Sequence, residues 1–127
     1  MSYSFNAGHG LILVRAQVFG PQGTGTLTLA LDTGATTTTI NTGLLVAMGY
    51  DPSSAPERVE MTTGSAVEYA PRLAVMRIVA LGQERLGLHV IAHTLPPSAG
   101  VNGLLVLDFF RSRELNLDFR TGAISLS

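Results

Sequence analysis

A carboxylate, a hydroxyl and a glycine stand in a row at Asp32-Thr33-Gly34, directly behind the apolar Leu29-Ala30-Leu31 and ahead of Ala35. Core building does not call for an acid there. An aspartate behind an apolar run is partly withdrawn from water, and such a group is almost never buried without something to pair with it. Glycine lets neighbouring backbone approach the carboxylate closely. On these residues alone two outcomes stay open: a strand delivering an acid to a site, or an Asp-Gly turn closing a hairpin. Four threonines, Thr36 to Thr39, and then Ile40 follow.

Other residues offer less. His89 and His93 are four apart, a metal-pair spacing on a helix, but the intervening Val90-Ile91-Ala92 reads as strand and no carboxylate lies near. No metal or other cofactor is expected. His9 reads as a solvated bystander. Ser65 and Ser98 sit in turns outside any nucleophile-elbow setting, and the absence of cysteine excludes thiolate chemistry and disulfides. Asp108 also follows an apolar run but lacks a following Thr-Gly; it is expected to cap a short helix or to pair with Arg111 or Arg113. Asp118 alternates outward on a strand. Gly23 and Gly25 belong to a turn with no helix behind it to cradle phosphate.

Composition narrows the partners. The chain of 127 residues has 46% apolar and 13% charged side chains, with a net charge of −1. That charge gives no electrostatic footprint for nucleic acid or an acidic membrane, and the scarcity of charge leaves apolar surface for a protein partner to cover. The first residues have neither a basic start nor a long apolar run, and no stretch reaches transmembrane length. The chain is expected to be soluble, and cytoplasmic by default.

The elements that must position Asp32 follow from alternation and turn chemistry. Residues 11–19 read as a strand, 20–25 as a turn, and 26–31 as a second strand that ends at the aspartate. Residues 37–40 form a further short strand. Asn41 or Thr42 caps a short helix over 44–47, with Gly49 as its stop. Residues 58–62 and 66–70 flank the small tip Thr63-Gly64-Ser65 as a hairpin, and 73–81 and 86–93 bracket 82–85 as another. An apolar run over 103–110 leads into a short helix at 111–114, and strands over 115–119 and 123–126 close the chain. Residues 1–10 read as a loose arm before a single domain over 11–127. Many short strands with one or two short helices make a mostly-β fold.

In this order the features resemble the retropepsin-like aspartic proteases, the single-domain homodimeric relatives of pepsin, and their bacterial branch in particular. The resemblance rests on Asp32-Thr33-Gly34-Ala35 after an apolar strand, the threonine-rich segment and short helix, the Thr63-Gly64 hairpin tip where such enzymes carry a flap, and the apolar pair before the final helix. It runs from about Leu11 to the C-terminus. It implies a pepsin-like closed β-barrel and an acid-acting endopeptidase in which Asp32 from each of two subunits shares one proton and activates water. Thr33 would bond across the two-fold axis, Gly34 would offer its N–H to the carboxylates, and Ala35 would lie beside the substrate. Residues Thr63, Gly64, Ser65 and Ala66 would close over an extended peptide. Leu31, Ile40, Leu104 and Leu105 are the expected subsite linings, and the terminal strands, residues 123–126 among them, the expected dimer contact.

Two positions depart from the pattern. Where the family places a glycine after its apolar pair, Leu104-Leu105 is followed by Val106, and overpacking costs about 1–3 kcal/mol where there is no room. Gly103 is expected to compensate in part. A chain whose site Val106 has disturbed would instead be a catalytically silent dimerisation or peptide-binding module. Thr36 stands where retroviral members commonly carry an arginine-paired aspartate.

Overall fold

A computed structural model describes residues 2–63 and 66–127. Twelve strands appear in it: β1 (Ser2–Ser4), β2 (Leu13–Gly20), β3 (Gly23–Asp32), β4 (Thr39–Ile40), β5 (Glu57–Thr63), β6 (Ala66–Ala74), β7 (Arg77–Ala80), β8 (Gln83–Leu86), β9 (His89–Ala92), β10 (Gly103–Val106), β11 (Leu115–Asp118) and β12 (Ala123–Leu126). Two short helices, α1 (Thr42–Ala47) and α2 (Leu107–Phe110), accompany them. The mostly-β architecture is the one expected. Period-two alternation is clear in β2, where Val14, Ala16 and Val18 are buried and Arg15 and Gln17 exposed.

Nine strands form one sheet in the order β5-β6-β9-β4-β10-β3-β2-β7-β8. It curls into a half-barrel around Leu29, Ile40, Leu45, Ile78, Val90, Leu105 and Phe109, with β5 and β8 as its free edges rather than hydrogen-bonded shut. The decisive feature for the site is β10. It is inserted between β3 and β4, parallel to the first and antiparallel to the second, so that Leu104 stands beside Ala30 and Val106 beside Asp32. A side chain on Gly103 would place its Cβ 2.0 Å from the carbonyl oxygen of Thr39. Only glycine permits this approach of β10 to β4. The bare Cα of Gly103 therefore serves that crossing and does not relieve Val106.

Some boundaries differ from expectation. The third hairpin turns at Leu81-Gly82, both at positive φ (52° and 71°), the pairing of a tight two-residue hairpin turn. Residues 83–85, expected as turn, therefore belong to strand β8. The last helix comes earlier than 111–114, at Leu107–Phe110, because Phe109 and Phe110 are drawn into the core. Asn41 caps α1, its side-chain oxygen accepting from the Leu44 N–H, and Gly49, at φ 99°, follows the C-cap Met48.

The arm is not loose. β1 pairs with β12, the Phe5 N–H donates to the Gly122 carbonyl, and the Phe5 ring meets Phe119 edge to face. In this second sheet, ordered β1-β12-β11, strand β12 is paired on both sides. Its backbone is thus already used within the chain, and the free edges of this sheet are β1 and β11.

Candidate active site

Asp32 is the last residue of β3 and is half-buried. Its Oδ1 accepts a 2.8 Å hydrogen bond from the N–H of Gly34, and a Cβ on Gly34 would lie 3.1 Å from that oxygen. Glycine at this position lets the turn fold back on the carboxylate, as the tripeptide suggested. Thr33 beside it is exposed, and its hydroxyl bonds no group among the described residues.

The loop after Asp32 is tied to α2 by a clamp that sequence reasoning missed. Thr38 is fully buried. Its backbone N–H donates to Asp108 Oδ2 at 2.7 Å and its hydroxyl to Asp108 Oδ1 at 2.6 Å. The same hydroxyl accepts from the Val106 N–H at 3.4 Å, and the Leu107 N–H donates to the Ala35 carbonyl at 3.3 Å. Asp108 was expected to cap a helix or meet Arg111 or Arg113; both its oxygens go to Thr38 instead. An acid closing an apolar run and a run of threonines were the available signals, but 70 residues separate the partners.

Val106 is fully buried, in extended backbone at φ −128° and ψ −166°. That conformation is open to any L-residue, and the valine keeps strand register opposite Asp32. The position does not demand glycine's conformational freedom.

Beside the loop lies a cavity of about 460 Å³. Gly34, Ala35, Thr37 and Leu104 line one side of it, and Val59, Glu60 and Met61 of β5 another. A larger cavity, about 620 Å³, lies against the terminal sheet between Asn116 and Ser125. It is remote in the chain from any residue of the loop, whereas the smaller cavity is walled by Gly34 and Ala35, the residues that follow Asp32-Thr33. Strands β5 and β6 pair from Glu57↔Arg72 to Thr63↔Ala66. Ala66, Val67, Glu68 and Tyr69 are all exposed, so the end of this ribbon stands clear of the core. Gly64 and Ser65, expected at its tip, lie outside the described residues.

Of the expected subsite linings, Leu104 is half-buried and opens on the cavity. Ile40 and Leu105 are fully buried in the core, and Leu31 packs against that core. The alternation of β10 accounts for the difference: Leu105 faces inward, so Leu104 faces the cleft. Among the described residues no group of three or more His, Cys, Asp or Glu could hold a metal.

The sequence profile described as aspartyl protease matches residues 14–109, which take in Asp32, the clamp and β10. The chain belongs to the aspartyl protease family. The fold agrees: a retropepsin-like aspartic protease from Rickettsia conorii superposes with a TM-score of 0.75 at 16% identity, over 99% of this chain and 88% of that one. A comparison with curated protein sequences finds no match. No helix among the described residues is long and apolar enough to cross a membrane.

Proposed function

We propose that this aspartyl protease family member is a homodimeric endopeptidase with Asp32 of each protomer in one active site. The observation that carries this is the setting of Asp32: a half-buried carboxylate at a strand end, one oxygen held by Gly34, its loop pinned through Thr38 and Asp108, and a peptide-sized cleft alongside. One chain supplies one such carboxylate, so the second comes from a twin across a two-fold axis. Two like charges that close cannot both ionise, and the pair holds one proton as a unit. The ionised carboxylate takes a proton from water as the water oxygen attacks the scissile carbonyl carbon, while the protonated one donates to the carbonyl oxygen. Collapse of the tetrahedral intermediate breaks the C–N bond and passes a proton to the leaving nitrogen.

The exposed Thr33 hydroxyl is free to bond its twin. The β5–β6 ribbon is placed to cover an extended peptide that adds to the cleft as a strand, with Ala35 and Leu104 against it. The terminal sheet supports the dimer through its β1 and β11 edges or through its face, since β12 is paired on both sides. An active site is favoured over a silent one because Val106 fits in extended backbone without breaking the register beside Asp32.

The test is digestion of a mixed peptide library at pH 4 to 7, read by mass spectrometry, with Asp32→Asn alongside. Cleavage by the wild type and none by the variant is expected. Equal cleavage by both, or none by a protein shown to be dimeric, rejects the proposal.

A further inference from the structure

A second cavity, about 450 Å³, adjoins the cleft, and Thr36 and Thr37 line both. Its remaining walls include Arg72, Leu86, Leu88, His89, Asp108 and Arg111. Arg111 is exposed, and its guanidinium has no hydrogen bond or ion pair among the described residues. Its backbone is fixed nonetheless: Arg85 of β8 donates to the carbonyl oxygens of Phe109 and Arg111. Arg72, the other cation in the wall, pairs with Glu57 at 2.8 Å. The acid in the wall, Asp108, has each oxygen occupied by a Thr38 donor. Two arginines thus line this cavity, Arg72 paired and Arg111 unpaired, beside one carboxylate whose oxygens are both occupied. Leu86 and Leu88 add an aliphatic wall, with the open Gly87 between them.

We infer that this cavity is an accessory subsite that selects a glutamate side chain of the peptide substrate, with Arg111 as the reading residue. The inference rests on the peptidase reading of the adjoining cleft. The methylenes of glutamate would lie on Leu86 and Leu88 while its carboxylate meets the Arg111 fork. Thr36 is four residues beyond Asp32, at most about 13 Å of extended chain, which corresponds to about four residues of bound peptide. The near wall of the subsite therefore lies within about four peptide residues of the cleaved bond, and two-fold symmetry repeats the subsite on its other side.

The experiment uses three ten-residue fluorescent peptides of one apolar centre, flanked on both sides by Glu, Gln or Lys. Competitive cleavage by the wild type, Arg111→Gln and Arg111→Glu is measured, together with anisotropy binding to Asp32→Asn and to its combination with Arg111→Glu. The wild type is expected to favour the Glu peptide over the Gln peptide by about fivefold. Arg111→Gln removes the preference, and Arg111→Glu turns it toward the Lys peptide. Cleavage without a Glu preference, or with one that Arg111→Glu leaves in place, overturns the subsite and leaves the peptidase standing. No cleavage, but fivefold tighter Glu-peptide binding that Arg111→Glu abolishes, rejects the peptidase and keeps the subsite. Neither cleavage nor selective binding rejects both.

Discussion

Thr38 shows how one hydroxyl can carry a site it never touches. It is fully buried, gives its hydrogen to Asp108 and takes one from Val106, so Thr38→Val keeps the shape and leaves two polar groups short of a partner. A lost bond to a charged group and an orphaned N–H together cost about 3 kcal/mol, whereas Thr38→Ser keeps both bonds and loses one methyl, about 1 kcal/mol. Urea midpoints of the two variants are expected to fall in that order, and equal midpoints would show that the clamp does not stabilise the fold. Val106 gives the complementary case. Restoring the family's glycine deletes a fully buried isopropyl group and loosens a strand, so Val106→Gly is expected to lose about 3 kcal/mol. It is expected not to raise kcat/KM; a rise would mean that the valine does hold the site out of shape.

Elements behave as their local chemistry directs where partners are near in sequence. The Asp32 strand, the β5–β6 hairpin and the Asn41 cap were legible because alternation, small turn residues and caps act over a few positions. The insertion of β10 between β3 and β4 was not, since nothing local to Gly103-Leu104-Leu105 specifies a parallel partner some 70 residues earlier. The same distance hid the Thr38–Asp108 clamp. Strand β8 was misread because Leu81 adopts positive φ, which a leucine does not announce. Within the site, Asp32 and Gly34 were readable from the tripeptide, while the inward turn of Leu105 awaited the register of β10. The β11–β12 turn carries a prediction of its own. Asp118 accepts from the N–H groups of Arg120 and then Thr121, which hold its carboxyl below the ordinary range. A folded pKa below the unfolded one stabilises above the unfolded value of about 3.9 and is lost as pH falls through the folded one. The thermal midpoint gap between wild type and Asp118→Asn is therefore expected to be steady from pH 7 to 5 and to shrink below about pH 4. A gap unchanged at pH 3 would detach this turn from the carboxylate.

At the scale of the molecule, the proposed chemistry needs two carboxylates and each chain offers one Asp32-Thr33-Gly34. A pair of acids sharing a proton cannot be built from one Asp32, and Asp108, the acid bonded to the loop, is committed to Thr38. Thr33 leaves its hydroxyl at the surface with no bond among the described residues, where the proposed two-fold contact needs it. If both carboxylates are needed, a dimer with one Asp32→Asn subunit is dead, and mixing reveals it. When wild type and variant are combined in equal amounts and allowed to exchange, random pairing leaves about a quarter of the dimers with two intact aspartates. Activity per total protein should then fall to about a quarter of the wild-type value at the same total concentration. A monomeric enzyme, or a dimer whose subunits work alone, would retain about half. Sedimentation at the assay concentration must show the exchanged species as dimers, so that a value near a half counts against shared catalysis and not against assembly.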